Sequence, residues 1–144
     1  MMWKSPILLV ALLLACTRGT TDLDSEPHVL SGSWRWVQSR GGFAGLERSP
    51  ETEGYSARLE YHATRVRAFR NDRLVAEATF TLREDSLRLG PMPVYIVEYA
   101  PALRVFPFSS LDQHSVRITG KMIVEFDEGC CDRYSHTFSK PGLR

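Results

Sequence analysis

From Tyr55 onward the chain alternates. Tyr55, Ala57, Leu59, Tyr61 and Ala63 fall on one side, and Ser56, Arg58, Glu60, His62 and Thr64 on the other. A period of two sets one face of a strand against a core and the other in water. The pattern returns with Leu74, Ala76, Ala78, Phe80 and Leu82 opposite Arg73, Glu77, Thr79, Thr81 and Arg83, interrupted only by Val75. Near the C-terminus, Met122, Val124 and Phe126 share a face, as do Tyr134, His136 and Phe138. Trp34 and Trp36 lie opposite Arg35, in a strand that would rise through Gln38 and leave at Ser39. Turn signals separate these runs at Asn71-Asp72, Glu84-Asp85, Gly90-Pro91-Met92-Pro93 and Asp127-Glu128-Gly129. No stretch shows a helical stripe. About eight short strands in one small domain predict an all-β fold, an antiparallel up-and-down β-barrel. Closure of the barrel also removes exposed strand edges.

The first residues follow a different rule. Lys4 precedes an apolar run from Ile7 to Leu14. Spanning a bilayer takes about 20 apolar residues. This run is shorter and has the length of a signal-peptide core. Its end, Leu13-Leu14-Ala15-Cys16, resembles the lipobox of bacterial lipoproteins. The resemblance implies a signal peptide over 1–15 and acyl chains, palmitate among them, on a lipoprotein that begins at Cys16. Several acyl chains hold a soluble domain at a membrane, whereas one binds marginally. Thr17, where an aspartate would signal retention, implies the outer membrane and a periplasm-facing position in the cell envelope. The plainer reading is an ordinary secretory signal with Cys16 an unmodified thiol. Residues 16–28 are polar and read as a flexible tether.

Composition and charge narrow the partners. The chain is 43% hydrophobic and 24% charged, which excludes a disordered or collagen-like polymer. Arg58, Arg65, Arg67, Arg70 and Arg73 are dense, but Glu60, Asp72 and Glu77 lie among them. They read as a solvated outer barrel face, and nucleic acid is not an expected partner.

Val29-Leu30-Ser31-Gly32-Ser33-Trp34 opens the first strand, and Gly32-Ser33-Trp34 resembles the Gly-x-Trp motif of lipocalins. The run Gly32 to Gly45, with the closing Cys130-Cys131-Asp132-Arg133-Tyr134, is similar to small lipocalin-like lipoproteins of bacteria. The resemblance implies a calycin-type barrel over 29–140 whose floor is Trp34. It also implies a basic residue after the last strand over the indole. Lys140 stands there, where the family usually has arginine; Arg133 lies at the other end of that strand. A cation over an indole contributes about 0.5–2 kcal/mol. An eight-stranded barrel can hold one small ligand or be filled by side chains. Tyr61, Phe80, Tyr95, Tyr99 and Phe106 are the candidate wall of a ligand site. The segment Ser39 to Gly54 holds Gly41, Gly42, Gly45, Pro50 and Gly54 around Phe43 and Leu46. Long loops are often lids, so Phe43 and Leu46 are candidate ligand contacts over the mouth. The alternative is a glycine-rich excursion with no such role.

Cys130 and Cys131 are neighbours, about 3.8 Å apart at Cα, below the usual disulfide span of about 4.4–6.8 Å. A strained vicinal bridge, free thiols and a bridge to another chain stay open, which makes them a candidate redox pair. No metal site is expected, since zinc takes four ligands, and no cofactor is expected. His28, His62, His114 and His136 are scattered. No nucleophile elbow or acid–base pair stands out, so an enzyme is not expected. Two classes remain: a membrane-anchored barrel that binds a small apolar or amphipathic ligand, or a filled barrel acting on envelope protein partners. An apolar pocket of about 300 Å³ would favour the first.

Overall fold

The computed structural model describes residues 28–87, 91–104, 107, 111–129 and 133–142. The expected signal peptide, Cys16, the expected tether up to residue 27, Phe106, Cys130 and Cys131 lie outside the described residues. Nine strands form in chain order: β1 (Gly32–Gly41), β2 (Leu46–Arg48), β3 (Ala57–His62), β4 (Arg65–Arg70), β5 (Arg73–Glu84), β6 (Val94–Leu103), β7 (Leu111–Thr119), β8 (Ile123–Asp127) and β9 (Tyr134–Ser139). A short helix, α1 (Pro50–Glu53), stands between β2 and β3. All pairings are antiparallel, each barrel strand pairs with the next, and β1 closes on β9. The result is a closed eight-stranded antiparallel barrel with β2 as an extra strand.

The alternation sets which residues fill it. Leu59 and Tyr61 of β3, Val66 and Ala68 of β4, and Ala78 and Phe80 of β5 are buried in one cluster. Val97 and Tyr99 of β6, Val116 of β7, Val124 and Phe126 of β8, and Phe138 of β9 complete it. Arg67 and Glu77 pair across the outer face at 2.8 Å, and Arg83 and Glu98 at 3.6 Å. Asn71 and Asp72, with φ of 49° and 60°, make the tight turn between β4 and β5. That twist matches the strands it joins.

Bulges on β1 and β5 break the simple alternation, and the β6–β7 pairing shifts register between Glu98 and Leu103. Trp36 pairs with Phe138 and Gln38 with Thr137, so Val37 is an extra residue on β1. Trp36 stays inside, but beyond the bulge Ser39, not Gln38, turns in. On β5 the pairs Phe69–Leu74 and Ala68–Ala76 make Val75 the extra residue. Leu74 therefore leaves the inner face and is exposed.

The segment Ser39 to Gly54 is not a long loop. β1 runs on to Gly41 and folds back through Gly42–Gly45 into β2, pairing Gly41 with Leu46 and Ser39 with Arg48. Ser49 then caps α1: its hydroxyl accepts from Thr52 N, and Thr52 Oγ1 accepts from Ser49 N at 2.8 Å. Pro50 suits the first helical position, and Gly54 ends the helix in the left-handed region. Local turn and cap chemistry thus order a stretch whose glycines read as loop. Among the described residues no helix is long and apolar enough to cross a membrane.

Candidate functional site

The two ends of the barrel are closed by different chemistry. At the end where β1 enters, Trp34 is 1% exposed, and its indole N–H donates to the Leu30 carbonyl at 2.7 Å. Leu30 is itself buried. The Lys140 ammonium lies 4.9 Å from the centre of the indole ring. The backbone N–H of Lys140 donates to Met122 O at 2.9 Å, which holds the residue after β9 in place. His28 packs its ring edge-on against Phe80 at 4.9 Å and adds to this floor.

Above the floor the interior is filled by rings. The Tyr61 and Tyr99 hydroxyls meet at 2.8 Å in the barrel. Burial drives both phenols well above their ordinary pKa. Tyr61 also meets Phe80 edge-on at 5.0 Å and stacks on Phe126 at 6.3 Å. Phe126 meets Phe138 at 5.5 Å. Tyr95 is half-buried and packs against the same cluster. Of the candidate wall residues, Tyr61, Phe80 and Tyr99 are brought together, but against one another.

At the far end a polar chain crosses the β1–β9 seam. The Trp36 indole N–H donates to Ser39 Oγ at 2.9 Å. Ser39 Oγ lies 2.7 Å from His136 Nδ1, and His136 Nε2 lies 2.9 Å from Glu128 Oε1. A carboxylate only accepts, so the imidazole proton belongs on Nε2. Nδ1 then accepts from the Ser39 hydroxyl. Ser39, His136 and Glu128 are all buried. Arg133 Nη1 donates to the Glu128 carbonyl at 3.1 Å, joining the residue after β8 to the one before β9. The seam closes tightly here because a Cβ on Gly41 would sit 2.2 Å from Arg133 O. Only glycine fits so close an approach.

Two further groups frame this end. Tyr55 stacks on Trp36 at 5.8 Å, and the Arg70 guanidinium lies 3.9 Å from the Tyr55 ring centre. Burial pushes the Tyr55 phenol up to about 12, against the pull of Arg70. His114 of β7 is buried between Tyr99 at 5.5 Å and Phe126 at 6.1 Å. Burial pushes it down to about 4, with His136 acting the same way and Glu128 opposing.

Ser39, His136 and Glu128 follow the order of a nucleophile, a base and a carboxylate. Reaction needs a substrate at the hydroxyl. Ser39 is 0% exposed and its oxygen already takes an N–H from Trp36, and its contact with His136 joins β1 to β9. Of the candidate lid residues, Phe43 is 95% exposed at the tip of the β1–β2 hairpin, and Leu46 is 51% exposed beside it. A hollow of about 20 Å³ is lined by Val94, Ser115, Val116, Arg117, Glu125, Asp127 and Ser135, mostly on the outer face. It has room for about one water. Among the described residues no three His, Cys, Asp or Glu side chains are grouped to hold a metal.

The polar chain was hidden in the sequence. Ser39 looked like a loop residue and Glu128 like part of a turn. His136 showed its burial through Tyr134 and Phe138, and His114 shares its alternation with Val116 and Ile118. The chain matches no protein-family model, no curated protein and no solved structure.

Proposed function

We propose that the chain is a lipid-anchored lipoprotein of the bacterial cell envelope, attached through Cys16. Its lipocalin-like barrel is filled and acts by presenting its surface to envelope protein partners. The observation that carries this reading is the occupied interior. Trp34, Tyr61, Phe80, Tyr99, Phe126 and Phe138 stand where a carrier would keep its ligand. A carrier needs roughly 300 Å³ or more of enclosed space. The sequence signal for the anchor, Leu13-Leu14-Ala15-Cys16, supports the address. The Lys140 ammonium over Trp34 supports the lipocalin-like reading, because it is the contact that the resemblance implies. The proposal includes no reaction and no cofactor.

Native mass spectrometry of the full chain, extracted from its membrane and stripped of detergent, tests both halves together. The expected mass is that of residues 16–144 plus acyl groups. A further small molecule bound one to one overturns the filled barrel. A mass without acyl groups overturns the anchor.

A further inference from the structure

The described chain enters the barrel at the floor. Ser31 N donates to the His28 carbonyl at 2.9 Å, and the chain then rises as β1. The His28 ring lies against Phe80 and, at 6.4 Å, against Tyr61, so the entering chain crosses beneath the barrel. The β5–β6 hairpin belongs to the same end. Gly32 pairs with Tyr61, the β3–β4 turn follows, and Thr64 O accepts from Phe80 N at 2.9 Å. β4 begins opposite Thr79, while β5 runs on to Glu84, and Asp85 N donates to Val94 O at 2.7 Å.

Three apolar side chains stand in water at this end. Val29 is 44% exposed, Leu87 91% and Met92 42%. Asp85 Oδ1 accepts from Leu87 N at 3.2 Å, which sets the turn that carries Leu87. Among the described residues the charge here is balanced. Glu84 and Asp85 are matched in number by Lys121 and Lys140. Arg65 and Arg83 are paired with Glu77 and Glu98 at 3.7 and 3.6 Å.

We propose that the floor end rests on the bilayer, with Leu87, Met92 and Val29 seated at the headgroup boundary and the mouth turned away. The inference rests on lipidation at Cys16. From Cys16 to His28 the chain has twelve steps (28 − 16 = 12), at most about 40 Å when extended. As the coil that its polar composition predicts, it spans about 20 Å. From Gly32 to Gly41, β1 carries the mouth about 30 Å beyond the floor. A tether of that length brings the floor to the bilayer and keeps the mouth off it. The mouth has its own exposed ring, Phe43, but the tether does not start there. With charge balanced, the transfer of apolar side chains out of water holds the end down, as it does for helices that lie in the headgroup region. Phe43 and Leu46 are left facing away from the membrane, towards envelope partners.

Tryptophan reporters in the acylated chain, residues 16–144, test this in phosphatidylcholine vesicles with and without brominated acyl chains. Trp34 and Trp36 are 1% and 3% exposed and give the background. Leu87→Trp and Met92→Trp each replace an exposed side chain, where substitution costs little stability. Their added emission should shift to shorter wavelength on vesicles and be lost with brominated lipid, at low and at high salt. The emission added by Phe43→Trp should do neither. Quenching of Phe43→Trp alone, of all three reporters or of none overturns the docking and leaves the anchor standing. Quenching at Leu87→Trp and Met92→Trp that vanishes at high salt overturns the apolar contact. A chain without acyl groups overturns the anchor, and the docking with it.

Discussion

The floor and the mouth of this barrel are sealed to similar tightness by opposite means. At the floor, one indole is buried under a lysine and hydrogen-bonded to the chain just before its own strand. At the mouth, a serine, a histidine and a glutamate from three parts of the chain make hydrogen bonds to one another. Apolar packing is non-directional. A buried polar seal works only while every donor has its acceptor. The floor therefore supplies stability, and the mouth supplies a junction whose strength depends on a complete set of hydrogen bonds.

Three substitutions test that division. The largest effect is expected at Trp34→Ala, which empties the floor and should cost about 3–5 kcal/mol in urea unfolding. A loss below about 1 kcal/mol would mean that the indole is not the seal. Ser39→Ala removes the hydroxyl between Trp36 and His136. It should cost about 1–3 kcal/mol, the usual penalty for leaving buried polar groups unmatched. A red shift of Trp36 fluorescence in a Trp34→Phe background would report the loosened mouth. Phe43→Ser should change stability by less than about 0.5 kcal/mol, as for other exposed positions. A larger loss would show that the hairpin tip is part of the mouth seal.

Much of the barrel was legible from a period of two. Leu59, Tyr61, Phe80, Val124, Phe126 and Phe138 are inside, as their alternation requires. The turn at Asn71-Asp72 was legible because those side chains tolerate the left-handed region. What failed was local register. An extra residue at Val37 or Val75 reverses every later side chain until pairing resets it. Nothing in Gln38-Ser39 shows which of the two turns inward. The hairpin and α1 were hidden by glycines and a proline, which mark turns without fixing what lies between them. The polar chain was the least legible feature, because Ser39 and His136 are 97 residues apart and only closure of the barrel joins them.

That separation shapes how the chain must fold. The hairpins from β3 to β9 can form between neighbours in sequence, but the seam joins the first barrel strand to the last. Closing a loop of that length costs about 4 kcal/mol of chain entropy before any contact repays it. Seam formation therefore belongs late in folding, after the meander of neighbouring strands has assembled. Until Tyr134–Ser139 docks on β1, β1 and β9 each show an open edge, and open edges template strand addition by other chains. The last six-residue strand is thus also what ends the nascent protein's exposure to aggregation.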